Sequence, residues 1–504
     1  MDKAYLLGLD AGTSGCKAVV FDNRGEICGY GFSEYPVICD APAKAEQDAA
    51  DVMAKLTAVT EEAIRQSGVR RIEAISVSVQ GDAAILVDNE YRPLHNAVLG
   101  MDYRNTAECE RLEERIGSRE AFRRTGMRIH PINFIAKVMW FKNNAPEAYE
   151  KATKVMTYSE FVMAGLGGDP VIDLTMASRT MALNIHTRQW DEQLLEICGV
   201  DRAMLSDVRP SGMPCGRLSE SLRQRWGLEN APLLVVGGHD QTCGAIGAGM
   251  IREGMGVDSS GTAAVFSSAF SAPRLDDAML DAYYPCYCHA VAGLYFTFAL
   301  NHTGGIVLRW FRDNTAQGTA AEASRLSADF YDYIAKNIEN SPSPVLVLPH
   351  FNGSGTPVCD MQSKGAFVGL TLSTTLEEIF KGILDGLTYE LKLNIEKMRS
   401  TGIALEEVRA VGGGAKSPLW LQTKADILNM PIVTLKCKEA GCLGAAILAA
   451  VGSGVYPDIE SAVNSMVRVE QTYTPNAQSA ARYAEKYSVY KKLYPALKSI
   501  QAQL

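Results

Sequence analysis

The N-terminal part of the chain alternates between apolar runs and short polar turns. One apolar run ends at Asp10, the small-residue turn "GTSG" follows, and a second apolar run begins after Lys17. A further turn, "DNRG", leads to a third segment, "EICGYGFSEY". Short apolar runs separated by glycine-rich turns are typical of antiparallel strands. The pattern predicts a three-stranded meander.

A helical pattern and another strand follow the meander. Val52, Leu56, Val59 and Ala63 recur at helical spacing, which predicts a helix over about residues 48–67. The segment "RIEAISVSVQ" then predicts a strand that ends at Gln80. Three strands, a helix and a strand together indicate a layered α/β domain with a mixed sheet.

The second half of the chain repeats this pattern. The segment "GMGVDSSGTAAVFSSAF" is again an apolar run, a Gly-Thr turn and an apolar run, about 250 residues after the first, which favours a duplicated fold over a solenoid repeat. Later segments fit the same order, from "GLYFTFAL" through "TLEEIFKGILDGLTYELKLNIEKM" to "EEVRAVGGG". We expect the two blocks to face each other across a cleft.

Length and composition narrow the class of protein. A chain of 504 residues is too long for one ordinary domain, and 47% hydrophobic with 21% charged residues is typical of a soluble globular protein. The net charge of −9 argues against a nucleic-acid or anionic-membrane surface. The longest low-polarity stretch, 443–454, is too short to span a bilayer. Twelve cysteines without CxxC pairs, and no early signal peptide, indicate a cytoplasmic protein.

The two Gly-Thr turns are candidates for binding phosphate. Glycine lets the backbone approach a ligand closely, and successive N–H groups form a concave anion site. Lys17 can add a point charge, and the Asp10 carboxylate can hold Mg²⁺ directly or through water. The alternative is that both turns are ordinary hairpins. Because two such turns occur at equivalent places, we favour a nucleotide-phosphate site.

Two further segments carry candidate chemistry. "AVGGGAKSPLWLQTKAD" does not match a Walker A loop, since Ala410 and Ala415 stand where that loop needs glycine. It is either a plain strand-to-helix turn or a flat backbone platform for adenine, with Ser417 at the helix start. His239, Asp240 and Gln241 follow a strand at the end where open α/β sheets bind ligands. Asp240 is a candidate general base, with helix capping as the alternative.

Several of these motifs resemble those of the FGGY carbohydrate kinases, a family that includes xylulose, ribulose, gluconate and glycerol kinases. The resemblance runs from about residue 5 to about residue 455, in the right order, through the segments "GLDAGTSGCKAVVFD", "GGHDQTCGAIGAG", "SSGTAAVF" and "VGGGAKSPLWLQTKADILNMPI". It implies an α/β, two-domain, actin-like ATPase fold (ribonuclease H-like, as in sugar kinases and heat-shock chaperones), with domains 1–247 and 248–504. It also implies that ATP, Mg²⁺ and a small polyhydroxy substrate share the interdomain cleft.

The resemblance also implies roles for individual residues. The first phosphate motif falls on Asp10, Thr13, Ser14 and Lys17, with Asp10 as the metal ligand, and the second falls on Gly261 and Thr262. Gly305 and Gly413 match glycines that contact the nucleotide, Ser417 lies on the adenine side, and Asp240 matches the catalytic base. Phe134 and Gly382 depart from the family's usual residues, which places the local pocket shape in question.

The substrate residues combine features of different relatives. Gly81 and Asp82 replace the Met-His of xylulose kinases and the Arg-Glu of glycerol kinases, and Ile132 replaces a glycerol-kinase Tyr. The side chains predicted to bind substrate hydroxyls are those of Gln80, Asp82, Asp102 and Gln241. An additional acid in the pocket disfavours gluconate through like-charge repulsion. We therefore expect a neutral ketopentose such as xylulose, with a glycerol- or tetritol-type polyol, or gluconate, as alternatives.

A different class of function also has to be weighed. The same fold serves ATP-binding proteins that are not kinases, and a relative that has lost catalysis could act as an actin-like regulator. Loss of Asp10, Asp240 or a Gly-Thr turn would favour that role, and all of them are present. The sequence predicts an ATP:carbohydrate phosphotransferase without nucleic-acid or membrane partners; a homodimer is an open possibility.

Overall fold

Two seven-stranded sheets form the framework of the protein. The computed structural model describes residues 3–504. The first sheet is built from strands before residue 248, and the second from strands after it.

The elements before residue 248 are, in chain order, β1 (Tyr5–Ala11), β2 (Gly15–Asp22), β3 (Ile27–Glu34), β4 (Glu46–Gln47), α1 (Ala49–Ser67), β5 (Ala74–Val79), β6 (Ile85–Val87), β7 (Ala97–Val98), α2 (Thr106–Arg115), α3 (Ser118–Thr125), α4 (Phe134–Asn144), α5 (Pro146–Lys151), β8 (Lys154–Met156), α6 (Tyr158–Leu166), β9 (Val171–Asp173), α7 (Leu174–Arg179), β10 (Leu183–Asn184), β11 (Gln189–Trp190), α8 (Glu192–Cys198), β12 (Asp207–Arg209), β13 (Pro214–Arg217), α9 (Glu220–Arg225), β14 (Leu233–Val235), β15 (Gly238–His239) and α10 (Asp240–Gly247).

The elements after residue 248 are β16 (Gly254–Ser260), β17 (Ala264–Phe270), α11 (Asp277–Asp281), β18 (Tyr287–Cys288), β19 (Tyr295–Asn301), α12 (Gly305–Asn314), α13 (Gln317–Arg325), α14 (Phe330–Ala335), β20 (Leu346–Leu348), β21 (Ala366–Val368), α15 (Leu376–Ser400), β22 (Leu405–Val411), α16 (Pro418–Leu428), β23 (Ile432–Leu435), α17 (Ala440–Gly452), α18 (Ile459–Met466), β24 (Val469–Tyr473), α19 (Ala477–Tyr490) and α20 (Leu493–Gln501).

The first sheet has the strand order β13-β14-β5-β1-β2-β3, with β15 also paired to β5. The β1–β2 and β2–β3 pairs are antiparallel, which confirms the predicted meander, and β1 runs parallel to β5. Helix α1 crosses from the meander to β5. Asp48 caps its N-terminus by accepting from the N–H groups of Ala50 and Asp51, and Gly68 ends it in the left-handed conformation at φ 65°.

The second sheet repeats this plan, with the order β18-β19-β17-β16-β22-β23-β24. Strands β16, β17 and β19 form an antiparallel meander, and β16 runs parallel to β22 just as β1 runs parallel to β5. The predicted duplication is therefore present in the topology. The turn after β1 and the turn after β16 lie at corresponding ends of the two sheets.

Helix α17 joins the two halves, because it lies between β23 and β24 of the second sheet in the chain but packs on β1, β2 and β5 of the first. It also crosses α10 closely, backbone to backbone. A Cβ added to Gly8, Gly247 or Gly444 would overlap a main-chain atom of the facing element, so only glycine fits at these points. This element confirms the predicted buried helix over 443–454, because every residue from 443 to 450 is buried.

The hydrophobic interior follows the same division. The largest cluster of buried side chains surrounds the first sheet, and further clusters lie beneath α15, α16 and the second sheet. Gly382 of α15 packs closely on the segment before β20, since an added Cβ would lie 2.9 Å from the main-chain oxygen of Val345. Within residues 3–504, no helix is both long enough and apolar enough to cross a membrane.

Candidate active site

The turn between β1 and β2 is held in shape by its own backbone and by a tyrosine. The Gly12 N–H donates to the Gly15 oxygen over 3.0 Å. The Tyr35 hydroxyl donates to the oxygens of Gly12 and Gly15 at 2.6 and 3.0 Å. Ser14 is exposed and Thr13 half-buried, and neither hydroxyl has a hydrogen-bond partner within residues 3–504. The turn is thus rigid while its hydroxyls stay available to a ligand.

Asp10 lies at the end of β1, opposite Ser78 of β5. Its Oδ1 accepts a 2.7 Å hydrogen bond from the Ser78 hydroxyl. Burial raises the pKa of Asp10, although the Ser78 hydrogen bond and the charge of Lys17 act in the opposite direction. Its other oxygen remains a hard ligand for a cation.

Lys17 is not a free cation in this conformation. Its Nζ donates to Oε2 of Glu439 over 2.7 Å, and Glu439 immediately precedes α17. Burial lowers the pKa of Lys17, but the Glu439 hydrogen bond and charge outweigh it and raise the pKa overall. Lys17 would have to exchange this partner to reach a phosphate, so its predicted role remains a prediction.

Asp240 begins α10 directly after β15. Its Oδ1 lies 3.1 Å from Nε2 of His239, and its side chain is 35% exposed. Burial raises the pKa of Asp240 to about 7, and the charge of Asp10 adds to the shift while Arg179 opposes it. A carboxyl that changes protonation near neutral pH is suited to accept a proton in the cleft.

His239 supports Asp240 from the interior. Its Nδ1 lies 3.4 Å from the Tyr287 hydroxyl, on the side opposite Asp240. Burial, with the charge of Arg179, lowers the pKa of His239 well below its usual range, which keeps the imidazole neutral. The Tyr287 contact fits the tautomer with the proton on Nε2, in which Nδ1 accepts from Tyr287 and the protonated Nε2 lies 3.1 Å from Asp240 Oδ1.

The second turn brings together three predicted residues at the end of β16. The N–H groups of Gly304 and Gly305 donate to the oxygens of Thr262 and Gly261 at 2.9 and 2.7 Å. The start of α12 is thereby fixed to the Gly-Thr turn. Gly261 and Thr262 are exposed, and Gly305 is the first residue of α12.

The glycine triplet lies on Ser260, beside the same turn. Gly412 has φ 78°, and a Cβ on Gly414 would lie 2.5 Å from the Ser260 side chain. Gly413 is exposed, so its backbone can approach a planar ligand. Ser417 caps α16, because its Oγ accepts from the Trp420 N–H at 3.4 Å. This contact shows that Ser417 acts as a helix cap, and its predicted contact with adenine remains a prediction.

Gln80 is connected to the first turn through a residue that the sequence analysis missed. Gln80 Nε2 donates to Oε1 of Gln47 over 2.8 Å, and Gln47 Nε2 donates to the Thr13 carbonyl oxygen. Tyr158 donates its hydroxyl to the same Oε1 at 3.1 Å. Gln47 lies in a two-residue strand with no motif of its own, and nothing in the sequence singled it out.

Asp82 is paired with a buried arginine, which the sequence analysis did not predict. The residue has φ 67°, and Oδ2 accepts an ion-pair hydrogen bond from Nη2 of Arg179. Both side chains are 4% exposed. The expectation that Asp82 adds uncompensated negative charge is wrong, because Arg179 from α7 neutralises it. Like-charge repulsion at Asp82 therefore gives no reason to exclude a sugar acid.

The last two predicted substrate residues differ in their surroundings. Asp102 is buried, and its oxygens already accept from the Ala45 N–H and from the Arg104 backbone and guanidinium. This network favours a structural role, so the predicted contact of Asp102 with substrate is weakened without being tested. Gln241 is half-buried in the first turn of α10, and within residues 3–504 its side chain has no hydrogen-bond partner.

Comparison with known proteins adds a family to this geometry. Residues 5–247 match the model of the FGGY family of carbohydrate kinases, N-terminal domain, and residues 258–453 match that of its C-terminal domain. A xylulose kinase from Bacillus subtilis (strain 168) is 26% identical over 505 residues, covering 99% of this chain and 98% of that protein.

Two other relatives carry different substrate names. A gluconokinase from Bacillus subtilis (strain 168) is 27% identical over 507 residues, covering 99% of this chain and 98% of that protein. A glycerol kinase from Halorhodospira halophila is 30% identical over 506 residues, covering 96% and 94%. Among solved structures, the ligand-bound xylulose kinase from Lactobacillus acidophilus aligns with a TM-score of 0.88 at 25% identity and covers 99% of both chains. The predicted two-domain, actin-like sugar-kinase fold is confirmed.

Proposed function

Because this chain belongs to the FGGY family of carbohydrate kinases, we propose that it transfers the γ-phosphoryl group of ATP to a hydroxyl of a small neutral carbohydrate. A ketopentose such as xylulose is the preferred acceptor. The observation that carries this proposal is Asp240, a carboxyl with its pKa raised to about 7, in contact with His239 and within electrostatic reach of Asp10.

Two turns are proposed to hold the nucleotide phosphates. The first offers the hydroxyls of Thr13 and Ser14, and the second offers exposed backbone at Gly261 and Thr262. Both turns are fixed by internal hydrogen bonds, so little backbone order has to be gained on binding. Gly305 and Gly413 flank the second turn, where small residues let a nucleotide lie against the main chain.

Asp240 is proposed to accept the proton of the attacking hydroxyl. His239 Nε2 lies 3.1 Å from Oδ1, so we assign the incoming proton to Oδ2. Phosphoryl transfer depends mainly on positioning and on neutralising charge, and a general base contributes about 10²–10⁴-fold. A neutral His239 keeps Asp240 oriented without giving it a counter-charge that would lower its basicity.

The residues present fit Mg²⁺, which sugar kinases of this family use with ATP. Mg²⁺ in kinases is held by one or two carboxylates together with phosphate oxygens and water, and Asp10 has one oxygen free for it. No cluster of three or more His, Cys, Asp or Glu side chains suited to a metal occurs in residues 3–504, which agrees with a metal held partly by substrate. When bound, the ion neutralises charge on the transferred phosphoryl group.

A ketopentose is preferred because the polar groups near Asp240 suit a neutral polyhydroxy compound. Gln80, Asp82 and Gln241 supply amide and carboxylate oxygens, and the Asp82–Arg179 pair carries no net charge. A sugar acid is the second candidate, since Arg179 provides a cation beside Asp82. The relatives named above include kinases for a ketose, a sugar acid and a polyol, so the acceptor has to be decided by experiment.

The test is a coupled assay of ADP release with purified protein, ATP and Mg²⁺. The acceptor panel is xylulose, ribulose, gluconate, glycerol and erythritol, with a no-acceptor control. We expect ADP release to depend on the acceptor and to be fastest with a ketopentose. Release that is equally slow with every acceptor and with none would contradict the proposed reaction.

The cellular setting is also part of the proposal. All twelve cysteines are free thiols, which fits a reducing compartment such as the cytoplasm. The proposed partners are small molecules only, namely ATP and the carbohydrate acceptor.

A further inference from the structure

Arg179 and Asp82 form a buried pair with unused hydrogen-bonding capacity. One hydrogen bond joins Arg179 Nη2 to Asp82 Oδ2. Within residues 3–504, the Nε and Nη1 atoms of Arg179 and the Oδ1 atom of Asp82 are buried without a hydrogen-bond partner. Buried charged groups normally satisfy all such atoms, because an unmade hydrogen bond to an ion is costly. The pair therefore lacks a partner that presents both an acceptor and a donor.

The pair lies next to the proposed base. A Cβ on Gly81 would lie 2.7 Å from His239 Nε2 and 3.2 Å from Arg179 Nε, so only the space of a glycine separates the two side chains. His239 in turn contacts Asp240. A small sugar whose reacting hydroxyl is at Asp240 can therefore reach Arg179 with its other end.

Arg179 also lines a cavity of about 180 Å³ between the two halves of the protein. One water molecule needs only about 10–15 Å³ on this measure. Its lining includes His130, Ile132 and Asn133 from the first half, and Phe298, His302 and Thr356 from the second. The guanidinium lies beside the rings of Tyr287 and Phe298, with ring centres 5.0 and 5.6 Å away. Both rings come from the second half, so Arg179 lies where the two halves face each other.

We infer that Arg179 and Asp82 recognise a hydroxycarbonyl group at the end of the substrate remote from the phosphorylated hydroxyl. A carbonyl oxygen can accept from Nε and Nη1 of Arg179, while the neighbouring hydroxyl donates to Oδ1 of Asp82. A hydroxyl in place of the carbonyl brings a second proton, and Asp82 Oδ1 is the single unpaired acceptor of the pair. This inference rests on the proposed function and deepens it by naming the recognised group.

Two kinds of compound carry this group, the ketoses and the aldonic acids, and the neutral pair admits either. Simple polyols lack it. A site built to hydrogen-bond a particular group discriminates strongly against the analogue without it. Arg179 is thus a specificity-determining residue, supplied by α7 and directed into the space that Gly81 leaves open.

The decisive comparison is between xylulose and xylitol, which differ only at the carbonyl carbon. For the wild type we expect kcat/KM and calorimetric affinity to favour xylulose by at least about 10²-fold. The variant Arg179→Gln should bring this ratio close to one, and Arg179→Lys should restore part of it. The same comparison is made between gluconate and its reduced form, sorbitol. Whichever of xylulose and gluconate has the higher kcat/KM shows whether the recognised group belongs to a ketose or to an aldonic acid.

The controls separate recognition from folding. Because Arg179→Gln alone leaves Asp82 buried without a counter-ion, the double variant Arg179→Gln with Asp82→Asn removes both charges and leaves no unpaired ion. Arg188→Gln is the matched arginine control, since its guanidinium lies over Tyr295 at 5.4 Å and outside the cavity lining. Unchanged affinity for ATP and an unchanged melting temperature would show that a variant is folded.

The outcomes distinguish the inference from the proposed reaction. A xylulose-to-xylitol ratio near one in the wild type, or an unchanged ratio in the folded double variant, would overturn the role of Arg179 even if ADP release persists. Selective binding of xylulose that depends on Arg179, without ADP release, would support the inference and overturn the proposed reaction.

Discussion

Asp10 and Asp258 lie near the same end of corresponding strands, β1 and β16, each shortly before a Gly-Thr turn. Their surroundings differ. Asp10 is half-buried and accepts a hydrogen bond from Ser78, while its nearest cation, Lys17, is bonded to Glu439. Asp258 is 2% exposed and forms an ion pair with Lys424, while Ser260 donates to its Oδ1 over 2.9 Å. One half of the duplicated fold leaves its carboxylate open, and the other neutralises it.

This difference suggests a chemical role for Asp10 and a structural role for Asp258. Asp10, without a cation of its own, can attract a metal ion and raise the pKa of Asp240. Asp258 and Lys424 satisfy each other beneath the second turn, where Nζ of Lys424 also donates to Ser260 over 2.9 Å. The pair fixes the backbone on which Gly412–Gly414 rest. A change at Asp10 should therefore alter catalysis, and a change at Asp258 or Lys424 should alter stability.

The largest expected effect is at Asp240. The change Asp240→Ala removes the proposed proton acceptor but leaves both Gly-Thr turns intact. We expect kcat to fall by at least about 10²-fold while ATP still binds with ordinary affinity. The measurements are steady-state kinetics and calorimetry with ATP. Turnover close to that of the wild type in a folded variant would show that another group accepts the proton.

A large effect of a different kind is expected at Lys424. The change Lys424→Met leaves Asp258 buried and unpaired, which typically costs about 3–5 kcal/mol of unfolding free energy. Denaturant unfolding should show this loss, and at temperatures where the variant is folded kcat should change far less than in Asp240→Ala. The double variant Lys424→Met with Asp258→Leu should recover much of the stability, since no unpaired charge remains. A fall in kcat without loss of stability would contradict the structural role of the Asp258–Lys424 pair.

The pH dependence should reveal the coupling between Asp10 and Asp240. Asp240 must be ionised to accept a proton, so kcat/KM should decline as the pH falls below about 7. The charge of Asp10 helps to raise this pKa, so Asp10→Asn should lower the pKa of Asp240 and move the acidic limb to lower pH. The same variant should need more Mg²⁺ for half-maximal rate. A limb that moves to higher pH, or does not move, would contradict the coupling.

The sequence predicted the framework well because its signals are local. The Gly-Thr turns, the helix predicted over about residues 48–67 and the strand before Asp240 all follow from short-range patterns, and the structure contains each of them. The two turns that carry the predicted phosphate residues follow corresponding strands, β1 and β16, of the two sheets. Gly305, for example, donates its N–H to the oxygen of Gly261, 44 positions earlier in the sequence. Both glycines belong to segments that resemble motifs of the family.

The charges that tune the site were not predictable in the same way. Arg179 lies 97 positions from Asp82, and Glu439 lies 422 positions from Lys17. No sequence spacing predicts either pair, because only the tertiary fold brings the two partners together. The prediction of an acidic pocket at Asp82 is wrong because it takes no account of Arg179. A lone arginine in "MASRTM" gave no sign that it was buried against an acid.

The smallest expected effect is a change in shape, and it tests whether the two halves act together. Thr13 and Thr262 lie on turns of different sheets, and the rings of Tyr287 and Phe298 from the second half cover Arg179 of the first. We expect the two halves to close on bound ligand by hinge motion near residues 245–255. Saturating ATP and xylulose together should therefore lower the radius of gyration in small-angle scattering, more than either compound alone. Asp240→Ala should still close, since it keeps both turns and Arg179, and so offers a stable ternary complex for the measurement. An identical scattering curve with and without both ligands would show that the half with Asp10 and the half with Asp258 do not move relative to each other.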